Sequence, residues 1–138
     1  MRMLGVDLGK KRIGIAVGES EPGVVSPRPF LTSRGSLQLD AEQVADRAKR
    51  EEVDVVVIGL PLEPDGQEGK MASIMRKFGE CVSRLGYQVR FADETLTSVQ
   101  ATATLAAADL TIDEARKRKD GEAACLILER FLADLERA

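Results

Sequence analysis

The chain has no histidine and no tryptophan, only two cysteines, and 4% aromatic residues among 138. Without histidine there is no Ser-His-Asp or Cys-His catalysis and no histidine-ligated zinc. The cysteines, Cys81 and Cys125, are too few for a structural zinc site and do not form a CxxC pair. Both fall within helical patterns, which reads as two reduced thiols in a cytosolic core. The scarcity of aromatics argues against the stacking platforms of sequence-neutral single-strand binders. No apolar run approaches the ~20 residues that span a bilayer. The opening Met1-Arg2-Met3-Leu4 runs straight into a patterned strand, with no signal-peptide architecture. A cytoplasmic protein away from membranes is expected. What remains is chemistry run by carboxylates, lysine, hydroxyls or thiols, or by a hard metal ion held by oxygen.

A content of 43% hydrophobic and 31% charged residues is that of an ordinary globular protein. The length fits one domain over residues 1–138. Net charge is −3, so the molecule as a whole does not attract polyanions. Basic residues are nonetheless clustered, as Lys10-Lys11-Arg12 and as Arg116-Lys117-Arg118-Lys119. Either run alone is as readily a solvated surface as a binding feature. Each, however, abuts an acid.

Met3 to Asp7 and Ile13 to Val17 read as strands joined by a tight Gly9-Lys10-Lys11 turn. A third strand is expected near Arg28 to Thr32, after the turn-rich Glu21-Pro22-Gly23. Leu37, Ala41, Val44, Ala45 and Ala48 recur at helical spacing, in a helix ending near Glu51. Val53 to Ile58 is nearly all apolar and β-branched, as a central strand covered on both faces should be. The next helix places Met71, Ile74, Met75, Phe78, Val82 and Leu85 on one face and stops at Gly86. Val89 to Ala92 is another strand. Thr97-x-x-Gln100 reads as a capping box opening a helix at Ser98 that runs through Ala101 to Ala108. A last helix is expected over roughly Gly121 to Leu135. Antiparallel strands followed by βαβ crossovers make an α/β fold, a mixed sheet with helices on both faces.

Three acidic positions then stand out. Asp7 ends the first strand, and ligands of open α/β sheets bind outside the carboxyl ends of strands; the plain alternative is a turn-forming Asp before glycine. Asp93-Glu94 ends a later strand in the same way. Asp93 fits equally well as a neutraliser of the next helix N-terminus, which leaves Glu94 the stronger candidate. Asp120 shares a helical face with Ala124, Ile127, Phe131 and Leu135 at 100° per residue, so it points toward the sheet, unless it is simply an N-cap. Carboxylates converging on one spot repel unless a divalent cation sits among them. Mg²⁺ or Mn²⁺ held by Asp7, Glu94 and Asp120 would hydrolyse a phosphodiester without histidine. Lys10, Lys11 and Arg12, with Arg116, Lys117, Arg118 and Lys119, would then hold a nucleic-acid backbone across the site.

Four blocks lie in order along the chain: Asp7-Leu8-Gly9-Lys10-Lys11-Arg12-Ile13-Gly14-Ile15-Ala16; Gly59-Leu60-Pro61 with Asp65-Gly66-Gln67-Glu68-Gly69; Asp93-Glu94-Thr95-Leu96-Thr97-Ser98; and Asp120 ahead of Ala123-Ala124-Cys125-Leu126-Ile127-Leu128. Together they closely resemble the YqgF, or RuvX, family of ribonuclease H-like nucleases, nearly end to end. The resemblance implies a five-stranded sheet of order 3-2-1-4-5 and catalytic, metal-holding acids at Asp7, Glu94 and Asp120. It also implies a bacterial cytoplasmic nuclease that matures the 5′ end of the small-subunit (16S) ribosomal RNA precursor, with Holliday junction resolution as a second proposed role. Two positions depart from the family pattern. Thr95 stands where Arg is common, removing a phosphate contact, and Glu63 replaces a usual Asn, adding negative charge near the cleft.

Structured RNA is therefore the expected partner and junction DNA the runner-up, with the protein a monomer or homodimer. Symmetric cutting of a junction demands a two-fold dimer. A non-catalytic RNA-binding module that kept the fold is a further reading, motivated by the acidic net charge and the altered loop. An actin-like or sugar-kinase ATPase, with Asp7-Leu8-Gly9 as phosphate loop, would need a second such domain.

Overall fold

The computed structural model describes residues 1–93 and 112–137, with the side chains of 121–136 in the last helix. The elements are β1 (Arg2–Leu8), β2 (Arg12–Glu19), β3 (Val25–Thr32), α1 (Leu37–Arg50), β4 (Val55–Leu60), α2 (Lys70–Arg84), β5 (Gln88–Asp93) and a final helix, α3 (Ile112–Arg137). The sheet order is β3-β2-β1-β4-β5. Strands β1, β2 and β3 pair antiparallel, while β1–β4 and β4–β5 are parallel. The expected five-stranded mixed sheet of order 3-2-1-4-5 is present.

Strand alternation sorts the core into two layers. Leu4, Val6, Ile13, Ile15, Val56 and Ile58 face α1 and α2, against Ala41, Val44, Ala48, Ala72, Met75, Phe78 and Val82. Met3, Ala16, Val55, Val57 and Ala92 face α3, against Ala124, Cys125, Ile127 and Leu128. Every residue of β4 is buried, as a strand covered on both faces requires. Ser36 caps α1, its Oγ accepting from the Leu39 amide at 3.0 Å. Gly86 stops α2 at φ +101°, where only glycine is at ease. Both cysteines are free, in α2 and α3. Burial pushes the Cys125 thiol up to about 12, so it stays protonated and serves as core filling.

Several expectations need correction. Strand β3 begins at Val25, earlier than Arg28, because Pro27 and Pro29 disguise it; an edge strand tolerates prolines that a central strand cannot. Met71 and Leu85 fall outside the buried stripe of α2, at 46% and 38% exposed, and Ala72 is buried instead. Helix α3 starts at Ile112, well before Gly121. The segment between them is rich in Ala, Glu, Lys and Arg, all good helix formers. Gly121 is not a helix start but a contact: a Cβ there would lie 2.7 Å from Pro27 Cβ. Asp120 is consequently an interior helical residue and no N-cap. The helix expected from Ser98 to Ala108 lies outside the described residues.

At the amino end of the sheet, Arg2 donates to Glu19 at 2.8 Å and to Glu51 at 2.9 Å, and Arg28 donates to the other Glu51 oxygen at 2.9 Å. The Arg2 amide also donates to Asp54 at 2.9 Å. This network ties β1, β2 and β3 to the end of α1. Burial by itself would raise the Glu51 pKa, but hydrogen bonds and charge from Arg28 and Arg2 outweigh it and hold the carboxyl below its ordinary 4.5. A depressed carboxylate stabilises the fold fully above that ordinary value, and the contribution fades as pH falls through the lowered one. Glu51→Gln should therefore lose stability at neutral pH and lose less than the parent below pH 4.5, read by urea denaturation across pH.

Helix α3 approaches the sheet closely at Gly5. A Cβ on Gly5 would lie 2.8 Å from the Ala124 carbonyl oxygen and 2.7 Å from Leu128 Cγ. A backbone atom cannot swing aside. Gly5→Ala should destabilise by about 1–3 kcal/mol, the usual range for overpacking, measured by chemical denaturation.

Candidate active site

The geometry centres on the carboxyl end of β1. Met3 belongs to the α3 layer and Leu4 and Val6 to the other, so Asp7 stands on the α3 face, half-buried. Its register partner on β2 is Gly14. On β4, Gly59 comes one residue beyond the Val6–Ile58 pair, on the face of Val55 and Val57, and pairs with Ala92 of β5. Across four strands at this level the positions read Gly14, Asp7, Gly59 and Ala92. Of these four, only Asp7 carries more than a methyl group, so its carboxylate rises from a floor of small residues.

Helix α3 runs down onto this face from the same end. Leu128 reaches Gly18, opposite Met3 in register, and the Ala124 carbonyl lies over Gly5. The backbone of Asp120 is one further turn, about 6 Å, along the helix in the direction of the strand's carboxyl end. The side chains of Asp120 and of Arg116, Lys117, Arg118 and Lys119 are outside the described residues, as is all of Glu94; the backbone of 116–119 is helical. Asp93 shares a face with Val89 and Phe91, which pack on the α1–α2 core. It is therefore on the opposite face from Asp7, an independent reason for leaving it out. Among the described residues no group of three His, Cys, Asp or Glu is assembled to hold a metal. The donor that is described, the Asp7 carboxylate, suits a hard, oxygen-seeking cation.

The basic turn is well defined. The Gly9 amide donates to the Arg12 carbonyl at 2.9 Å, and the Ser33 amide donates to the Lys11 carbonyl at 2.9 Å. Lys10 and Lys11 are exposed, and Arg12 lies half-buried over the Phe30 ring, 4.9 Å from its centroid.

A second element at this edge is the loop after β4. An isolated bridge pairs Leu62 with Glu68, and within it Glu63 N donates to Gln67 O at 2.8 Å and Gly66 N to Glu63 O at 2.8 Å. Glu68 takes both arms of Arg76, at 2.5 and 2.7 Å, and Arg76 lies 5.0 Å from the Phe91 ring centroid. Phe91 in turn fits because Gly79 has no Cβ. Arg76 is thus a strut between loop, helix and strand that sequence reasoning missed, since nothing in an eight-residue spacing from loop to helix marks a pair. The Glu63 side chain lies against Gly69, at the N-terminus of α2, where a carboxylate complements the helix dipole.

A family model described as RuvX, Holliday junction resolvase, matches residues 1–134. The chain belongs to the RuvX family. Relatives in this family include proteins from Myxococcus xanthus (strain DK1622), 41% identical over 96% of this chain and 87% of the relative, and Endomicrobium trichonymphae, 39% identical over 95% and 94%. Both carry the provisional name pre-16S rRNA nuclease. Among solved structures, Thermus thermophilus RuvC in complex with a Holliday junction substrate superposes with a TM-score of 0.58 at 15% identity, covering 99% of this chain and 96% of that one. The fowlpox virus Holliday junction resolvase gives a TM-score of 0.53 at 16% identity, with 99% of both chains covered. These likenesses establish the ribonuclease H-like fold expected from the four motif blocks.

Within this RuvX chain, Arg76→Ala should free the loop after β4 without unfolding the protein, because the ion pair it breaks is exposed. Hydrogen exchange should quicken at the amides of Glu63, Gly66 and Gln67 and stay unchanged in β4. Unchanged exchange in the loop would show that the strut carries no load.

Proposed function

We propose that residues 1–138 act as one nuclease domain that hydrolyses phosphodiester bonds with a divalent metal, Mg²⁺ or Mn²⁺, held by Asp7, Glu94 and Asp120. The observation that carries this reading is the placing of the Asp7 carboxylate at the carboxyl end of β1, level with Gly14, Gly59 and Ala92, at the strand edge toward which α3 brings the Asp120 backbone. When bound, the metal supplies the Lewis acidity that makes water a nucleophile and stabilises the leaving oxygen. The chain's own part is to gather the carboxylates, to leave space beside them, and to hold the substrate. Lys10, Lys11 and Arg12 on one side, and Arg116, Lys117, Arg118 and Lys119 on the other, neutralise flanking phosphates and set the register of the strand to be cut.

The substrate we favour is structured RNA, the 5′ end of pre-16S rRNA, in the cytoplasm. The relatives' shared name supports this. The absence, among the described residues, of any helix long and apolar enough to cross a membrane agrees with it. The family model's description favours a second reading, resolution of four-way DNA junctions, which requires a homodimer where RNA trimming needs only a monomer.

Cleavage of a labelled pre-16S 5′ fragment and of a four-way junction, each with Mn²⁺ and with EDTA, tests the proposal. Asp7→Asn should lower metal-dependent cleavage about a hundredfold or more, the scale of losing an electrostatic contact to the transition state. Faster cutting of the RNA supports the maturation role, and paired symmetric cuts in the junction would replace it with the resolvase. RNA binding with no cleavage by the parent protein would leave a non-catalytic binding module.

A further inference from the structure

Arg12 opens β2 on the face that carries Asp7: its register partner is Thr32, and the Asp7–Gly14 pair is two residues further along. Phe30, two residues before Thr32, shares that face. Here β3 departs from regular pairing, since Ile13 opposes Leu31 while Ile15 opposes Arg28, so three steps of β3 match two of β2. Such a bulge bends the strand and re-aims the side chains beside it. The result sets the Phe30 ring beneath the Arg12 guanidinium, 4.9 Å from centroid to Cζ. A guanidinium over an aromatic face is engaged by the ring and keeps five N–H donors, more than one partner takes up. Two of them in parallel are what arginine offers a phosphate.

We propose that Phe30 is a positioning residue for substrate binding: it holds the Arg12 guanidinium where it clasps a substrate phosphate adjoining the Asp7 carboxylate. The proposal rests on the nuclease reading and assigns Arg12 a role distinct from that of Lys10 and Lys11. The two exposed lysines supply diffuse charge, whereas the ring-held guanidinium fixes which phosphate lies beside the acid. Stacking on the ring also removes much of the rotamer freedom that binding would otherwise have to freeze.

The test uses Phe30→Leu, which keeps apolar bulk without the ring, Phe30→Tyr, which keeps the ring, Arg12→Lys and Arg12→Ala, and the double variant of Phe30→Leu with Arg12→Ala. Fluorescence anisotropy with a labelled RNA hairpin in EDTA gives Kd, and Mn²⁺-dependent cleavage of the same hairpin gives KM and kcat. Phe30→Leu should raise Kd and KM about two- to fivefold, the worth of an exposed cation–π contact, and leave kcat unchanged. Phe30→Tyr should restore both. Arg12→Lys should behave as Phe30→Leu does, since it keeps the charge and forfeits the planar stack, and in the Arg12→Ala background Phe30→Leu should add nothing. Parent-like Kd and KM in both Phe30→Leu and Arg12→Lys, or an undiminished effect of Phe30→Leu on Arg12→Ala, would overturn the proposal. The anisotropy arm reads the Phe30–Arg12 coupling without any cleavage, so loss of the nuclease reading itself, seen as a parent protein that does not cut, is told apart from loss of this one.

Discussion

Helix α3 lies against the sheet at a separation that only hydrogen permits. The Ala124 carbonyl and the Leu128 side chain occupy the space a Cβ on Gly5 would need, and Leu128 also fills the hollow over Gly18. Gly121 makes the corresponding contact with Pro27 on the edge strand. These approaches fix the helix in height and direction, and the position of Asp120 along the strand axis follows from them. Displacing the helix by the volume of one methyl group at Gly5 would move the Asp120 backbone relative to Asp7, and the catalytic geometry we propose would tolerate little of that. The glycines of β1 and β2 thus serve the site through the helix they admit.

The two faces of the sheet divide the work. On one, α1 and α2 bury Leu4, Val6, Ile13, Ile15, Val56 and Ile58 under a continuous apolar layer. On the other, the described part of α3 packs on a smaller core of Met3, Ala16, Val55, Val57 and Ala92, and Asp7 stands beyond it between Gly14 and Gly59. A single-residue slip in β1 would turn Asp7 into the α1–α2 core, where an unpaired charge is costly. The seven-pair register with β2 and the four-pair register with β4 prevent that slip.

How much of this could be read beforehand depended on whether the deciding partner was near in sequence. Strand β4 announced itself by its unbroken apolar run, and α1 by the spacing of Ala41, Val44 and Ala48. The places of Asp7 and Asp93 at strand ends were legible because alternation and strand polarity are local properties, whereas Glu94 lies outside the described residues. The parity of β5 also gives a second ground for setting Asp93 aside, beyond the helix dipole invoked from sequence. The start of α3 was not legible, because the run Arg116 to Lys119 looks the same in a helix as in a loop until a tertiary contact explains Gly121. The Arg2–Glu51–Arg28 network and the Arg76 strut were beyond reach as well, since they join residues whose proximity only the fold creates. The same holds for Phe30, one of four phenylalanines in the chain. Phe78 is core, whereas Phe30 and Phe91 each carry an arginine.

A net charge of −3 is compatible with gripping a polyanion because charge here is arranged along the strand axis. The acids Glu19, Glu51 and Asp54 gather at the amino end of β1, in the network with Arg2 and Arg28, whereas Lys10, Lys11 and Arg12 stand at its carboxyl end. Seven residues of strand separate the two ends by about 23 Å, more than twice the ~8 Å screening length at physiological ionic strength. A phosphate beside Lys10, Lys11 and Arg12 therefore feels little of the acids at the amino end. The crossovers add to this, because α1 and α2 each leave the carboxyl edge to begin the next parallel strand, and α3 descends from the same side. All three described helices therefore turn their N-termini, and the positive ends of their dipoles, toward the carboxyl edge. The edge is not purely basic, since Glu63 and Glu68 of the loop after β4 stand there too, with Glu68 neutralised by Arg76.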